Sequence, residues 1–93
     1  MANAGSVNCT STTVVYPLAT DEPVMGPLRV KAAPGNTGHI RVGGGDILST
    51  AYGFTLAKSE FVDLEFVRNV ADVHAMAATA NDDVEWIKLQ WDV

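Results

Sequence analysis

The sequence predicts an all-β chain: a single small antiparallel β-sandwich or jelly-roll-like barrel behind a flexible N-terminal arm. Three observations carry this. From Leu28 to Trp91 apolar and polar residues alternate with a period of two, the spacing that sends side chains to opposite faces of a strand. Clusters of Gly, Pro, Asn and Asp interrupt the alternation at intervals of about 8–12 residues, as in sandwiches and barrels. The chain has 93 residues, room for one domain and not two.

Taken in order, "MANAGSVNCTSTT" (1–13) is polar, without the basic start and apolar core of a signal peptide, and reads as a flexible arm. The domain then occupies 14–93. "TVVYPLA" (13–19) is β-rich, and Pro17 marks an edge position or a strand end. "DEPVMGP" (21–27) is a loop. "LRVKA" (28–32) places Leu28, Val30 and Ala32 on one face and Arg29 and Lys31 on the other. "HIRV" (39–42) points Ile40 and Val42 inward, between the turns "PGNTG" (34–38) and "GGGD" (43–46). "ILSTAYGFTLA" (47–57) is a meandering loop or a short strand. "EFVDLEFV" (60–67) aligns Val62, Leu64 and Phe66, "NVAD" (69–72) connects, and "VHAMA" (73–77) aligns Val73, Ala75 and Ala77. Alanines favour helix across 70–80, but Val70 and Val73 suit a strand equally. After the turn "TANDD" (79–83), "VEWIKLQWDV" (84–93) faces Ile87, Leu89 and Trp91 one way. The expected core is Leu28, Val30, Ile40, Val42, Val62, Leu64, Phe66, Val73, Ile87, Leu89 and Trp91.

Composition excludes several functions. Six basic against eleven acidic residues leave a net charge of −5, the wrong sign for neutralising phosphates, so no nucleic-acid partner is expected. No apolar run is long enough for a membrane-spanning helix. Cys9 is the one cysteine, so no intrachain disulfide can form, and with two histidines no metal set is visible. The glycine-rich "GNTGHIRVGGGD" (35–46) lacks the lysine and the following helix of a phosphate loop, and Asp46 would repel a phosphate. It reads as two turns around a short strand, with Gly35 and Gly38 expected at the positive φ of a tight hairpin.

No catalytic, cofactor-binding or metal residues are assigned. His39 and His74 have no partner at a usable spacing, Cys9 lies in the arm, and Asp82, Asp83 and Glu85 read as a solvated turn. Asp63 and Glu65, about 7 Å apart on one strand face, read as solubility charges rather than a glycosidase pair. Two aromatics break the alternation. Phe61 shares a face with Asp63 and Glu65, and Trp86 with Lys88 and Gln90. Large aromatics on a polar face mark either a contact surface or rings that the sandwich itself covers at its rim. With the β-rich Val14, Val15 and Tyr16, they form the expected protein interface.

The run "NTGHIRVGG" (36–44), "GFTLAKSEFVDLEF" (53–66) and "VADVHAMAATANDDVEWIKLQW" (70–91) resembles small β-sandwich virion proteins of tailed bacteriophages. The positions that carry the resemblance are Asn36, Gly38, Ile40, Val42 and Gly43; Gly53, Leu56, Ser59 and Glu60; and Asp72, Val73 and Ala75. It covers roughly residues 24–93, not the arm, and departs at Lys58, where proline is usual before the polar turn. It implies a structural role on the particle, of the capsid-decoration (cement), head-fibre-base or tail-accessory type. The expectation is a decoration protein on the capsid surface of the virion, partnered by the major capsid protein lattice and by itself, as a trimer, with no cofactor and no enzymatic activity. The alternative is a tail or fibre module that binds a host receptor or glycan, with Tyr52, Trp86 and Trp91 able to stack on sugar rings.

Overall fold

The computed structural model describes residues 3–44, 53–65 and 67–89. Among these, eight strands form two four-stranded sheets: β1 (Ala4–Cys9), β2 (Tyr16–Pro17), β3 (Leu28–Ala32), β4 (Ile40–Gly43), β5 (Phe54–Leu56), β6 (Phe61–Leu64), β7 (His74–Ala77) and β8 (Asp82–Lys88). A 3-10 turn at Val70–Asp72 precedes β7. The sheets run β1-β8-β3-β6 and β2-β7-β4-β5, and every pairing is antiparallel. β1 pairs with β8, β2 with β7, β3 with β6 and β4 with β5. The chain is thus one long hairpin with its tip between β4 and β5, rolled until β8 meets β3 and β7 meets β4. That is jelly-roll topology, and the all-β sandwich is the fold.

The core lies between the sheets, filled by the inward-facing residues of each strand. Leu28, Val30 and Ala32 on β3 and Ile40 and Val42 on β4 are fully buried. Val73, Ala75 and Ala77 are buried as the alternation predicts, and Val62 and Leu64 pack against the cluster from edge strand β6. Leu18, Val24 and Val70, outside the strands, close its ends. Phe66 and Trp91, expected in the core, lie outside the described residues.

Four expectations are corrected. Residues 4–9, read as part of an unstructured arm, form β1, and Cys9 at its end is fully buried. The strand uses small inward residues, Gly5, Val7 and Cys9, with polar Ser6 and Asn8 outward; low β-propensity hid an alternation that is there. The phase of β8 is reversed. Trp86 is buried, Ile87 is only partly buried and Leu89 is 42% exposed, because Trp86 stands opposite the inward Val30 and Gly5. A one-residue change of phase flips every side chain on a strand, and "VEWIK" (84–88) carries apolar residues on both faces, Val84 and Trp86 on one and Ile87 on the other.

The glycines of "PGNTG" also act otherwise than expected. This segment crosses from β3 in one sheet to β4 in the other, so it is not a hairpin turn. Neither Gly35 nor Gly38 has a positive φ; among the described residues that conformation falls on Ser59, Asn81 and Gly53. Gly38 is needed for closeness instead: a Cβ there would lie 2.5 Å from Thr79 Oγ1. Finally, Asp82 is not solvated. It is buried and accepts hydrogen bonds from the backbone N–H groups of Thr37 (3.0 Å) and Gly38 (2.8 Å). Beside it, the Asn36 side chain donates to Asp83 O and accepts from Asp83 N, both at 2.8 Å, as a strand neighbour would.

Candidate interaction surface

The five residues expected at an interface are not brought together. Trp86 is interior. Its indole lies over Gly5, where a Cβ would meet ring atoms at 2.8 Å, and its Nε1–H donates to Leu18 O at 3.1 Å. The indole is thus a packed, hydrogen-bonded core group. Val14, Val15 and Tyr16 lie at the β2 edge. There Val14 is exposed, while the Tyr16 hydroxyl accepts from Ser11 N at 2.9 Å and bonds Thr10 Oγ1 at 3.0 Å, pinning the β1–β2 connection. Phe61 opens β6, at the far edge of the other sheet, half exposed.

Phe61 is the organised one. Arg29 on neighbouring β3 sets its guanidinium over the ring, 3.9 Å from the centroid. The same guanidinium makes two hydrogen bonds to Asp63, Nε to Oδ1 at 2.7 Å and Nη2 to Oδ2 at 2.9 Å. Register makes this possible: Arg29 stands opposite Asp63, and Phe61, two residues along β6, is its diagonal neighbour. The hydrogen bonds from Arg29 hold the Asp63 carboxyl below its usual range and raise the guanidinium further. Both groups are solvent-exposed, so the pair orients more than it stabilises. One ring face is covered by the cation.

Beside Phe61, a shallow concavity of about 460 Å³ lies between β5 and β6, lined by Thr55, Leu56, Ser59, Glu60 and Phe61. The connecting turn is well tied. Ser59 N donates to Ala32 O, Ala32 N to Glu60 O, and Ala57 N to the Glu60 carboxylate at 2.7 Å. Ser59 takes φ 70°, a left-handed conformation that costs a non-glycine residue about 1–2 kcal/mol. Phe54, at the end of β5 away from this turn, is 54% exposed and does not line the concavity. The β5–β6 corner therefore presents Phe61 and a tied turn. The sequence singled out Phe61 alone. Arg29 and Asp63 were legible as opposite charges on outward faces, but only the β3–β6 pairing makes them neighbours.

The other candidates do not assemble into chemistry. His39 stands beside Ala78 at one end of the β4–β7 ladder and His74 beside Gly43 at the other, roughly 13 Å apart at about 3.3 Å per residue. Burial, with Asp83 and Asp82 adding to it, pushes the Cys9 thiol up to about 11, far from the thiolate a nucleophile needs. Asp63 bears a lowered pKa, the opposite of what a general acid requires. Among the described residues no group of three metal-ligating side chains converges.

No protein-family model matches the chain, and neither curated proteins nor solved structures provided a match. The resemblance to phage virion proteins rests on the quoted turn and strand residues alone.

Proposed function

We propose that this chain is a structural protein of a tailed-phage virion, a decoration (cement) protein that seats on the outer capsid surface and stabilises it. The observation that carries the reading is the half-exposed Phe61, with the Arg29 guanidinium packed on one ring face, at the edge of an otherwise well-packed jelly roll. A protein that reinforces a shell has to fold independently and present a preformed contact surface. A preformed aromatic loses little freedom on binding. Burying one phenylalanine contributes about 1.5–3 kcal/mol. The β5–β6 corner, with Phe61 and the tied turn, is the surface assigned to the major capsid protein lattice. The threefold self-association expected from the sequence leaned partly on Trp86, and that support falls with its burial.

The deciding experiment is co-sedimentation with empty shells of the cognate capsid. Wild-type protein should bind and raise the shells' resistance to heat. Phe61→Ser should weaken binding roughly 10–100-fold, the factor that about 1.5–3 kcal/mol represents. Loss of shell binding altogether, in wild type as well, removes the proposal. A second reading has one observation in its favour: the uncovered face of the Phe61 ring beside the β5–β6 concavity could stack on a sugar. A tail or fibre module of that kind would bind glycans, and not shells, through Phe61.

A further inference from the structure

The four edge strands of the sandwich are not equally protected. Unpaired edges recruit other strands, and proteins blunt them with short strands, proline or charge. β2 has two residues, one of them Pro17. β5 has three. β6 carries Asp63 and is flanked by Glu60 and Glu65. β1 has none of these devices. Its six residues, "AGSVNC", make it the longest edge, and it contains neither proline nor charge.

The backbone pattern of β1 is set by its ladder with β8. Asn3 O accepts from Lys88 N at 2.8 Å, so odd-numbered residues direct their backbone groups to β8. Ala4, Ser6 and Asn8 then direct theirs to the open side, and among the described residues none of those backbone groups has a partner there. Their side chains lie on the outer face, exposed, small and uncharged.

We infer that β1 pairs with β1 of a second copy, antiparallel across a two-fold axis at Ser6, joining two four-stranded sheets into one of eight. A two-fold perpendicular to the sheet keeps both outer faces on one side and sets Ser6 opposite Ser6 and Ala4 opposite Asn8. These pairs, with the symmetry-related Asn8 opposite Ala4, are hydrogen-bonded, and every free backbone group from Ala4 to Asn8 finds a partner. The occupant is a second copy because this strand is complementary to itself. No like charges meet across the axis, whereas β6 carries Asp63 between Glu60 and Glu65 and so presents a charged edge. The acidic residues nearest the seam are Asp83 and Glu85 on β8. The two β8 strands would be three strand spacings apart, about 14 Å, beyond the screening length of about 8 Å at physiological salt. This inference is independent of the capsid reading.

Ser6→Pro tests it cleanly. It removes an N–H that points to the open edge and leaves the β1–β8 ladder intact, a site where edge strands accept proline. Sedimentation should find wild type as a dimer and Ser6→Pro as a monomer with an unchanged circular dichroism spectrum. If Ser6→Pro fails to fold, Ser6→Lys, which places two charges on the axis, supplies the same comparison. Ser6→Cys should form a disulfide-linked dimer on mild oxidation, since hydrogen-bonded cross-strand pairs lie about 5.5 Å apart at Cα, within the roughly 4.4–6.8 Å that a disulfide spans. A monomeric wild type at high concentration, a dimer that survives both Ser6→Pro and Ser6→Lys, or wild-type β1 captured by a different chain in preference to itself would overturn it.

Discussion

Trp86 and Phe61 look alike in the sequence, each a large aromatic on a strand face otherwise polar, and the fold sends them to opposite places. Trp86 sits on β8, which has neighbours on both sides, Gly5 across one and Val30 across the other, and its ring is enclosed. Phe61 sits on β6, which has a neighbour on one side only, and its ring stays half in water with Arg29 on one face. Which face of the sheet the residue falls on, more than residue type, separates the two: Trp86 shares the inner face with Val84, whereas Phe61 shares the outer face with Asp63, opposite to Val62 and Leu64. The same rule explains two charged residues on the inner face of β8. Asp82 is held by two backbone N–H donors, and Lys88 is buried with its ammonium 3.2 Å from Glu22. A central strand buries whatever falls in its inward phase, and polar groups there require partners.

The contrast can be broken at its buried end first. Trp86→Ala should cost about 3–5 kcal/mol, a large share of the roughly 5–14 kcal/mol expected of a chain this size. Thermal melting reads it, and a variant that melts within a few degrees of wild type would return Trp86 to the surface. Next, Asp82→Ala leaves the Thr37 and Gly38 N–H groups without an acceptor and should cost about 1.5–3 kcal/mol in a denaturant titration. A loss of under half a kcal/mol would mean water serves those donors equally well.

Cys9 gives a pH test of β1. Its thiol is pushed from 9.0 to about 11 in the fold, chiefly by burial. The unfolded chain therefore ionises first. The contribution of the buried neutral thiol is full below the ordinary thiol value, declines as pH rises past it, and is lost as pH passes about 11. Melting temperature should fall between pH 8.5 and 10.5, and thiol reagents should label native protein slowly. Rapid labelling at pH 7.5 would contradict a buried Cys9 and, with it, a well-formed β1.

The smallest effects belong to the exposed end. Leu89→Ala and Phe61→Ser should each change stability by about 1 kcal/mol or less, since both side chains are only partly buried and Phe61 loses one exposed cation–π contact. Their value is in the pairing of readouts. Phe61→Ser should lose shell binding while melting like wild type, whereas a large destabilisation by Leu89→Ala would restore the phase that the sequence suggested.

Strand identity and most inward faces were decided locally, because alternation is a short-range property of the chain. Leu28, Val30, Ile40, Val42, Val73, Ala75 and Ala77 could be assigned to the interior from their neighbours alone. The loop at 21–27 and the connection at 34–38 were marked by Gly, Pro and Asn, whereas the turn at 57–60 contains no Gly, Pro, Asn or Asp, and 45–46 of "GGGD" lie outside the described residues. The phase of β8, the membership of β1 and the Arg29–Phe61–Asp63 group belong to the tertiary structure. Each depends on which strand lies beside which, and in a rolled hairpin those partners come from opposite ends of the chain: Gly5 with Trp86, Cys9 with Asp82, Arg29 with Asp63. Where a strand has apolar residues on both faces, as β8 does, or small weak strand formers, as β1 does, local pattern is nearly balanced, and the register with a distant neighbour determines which face is buried.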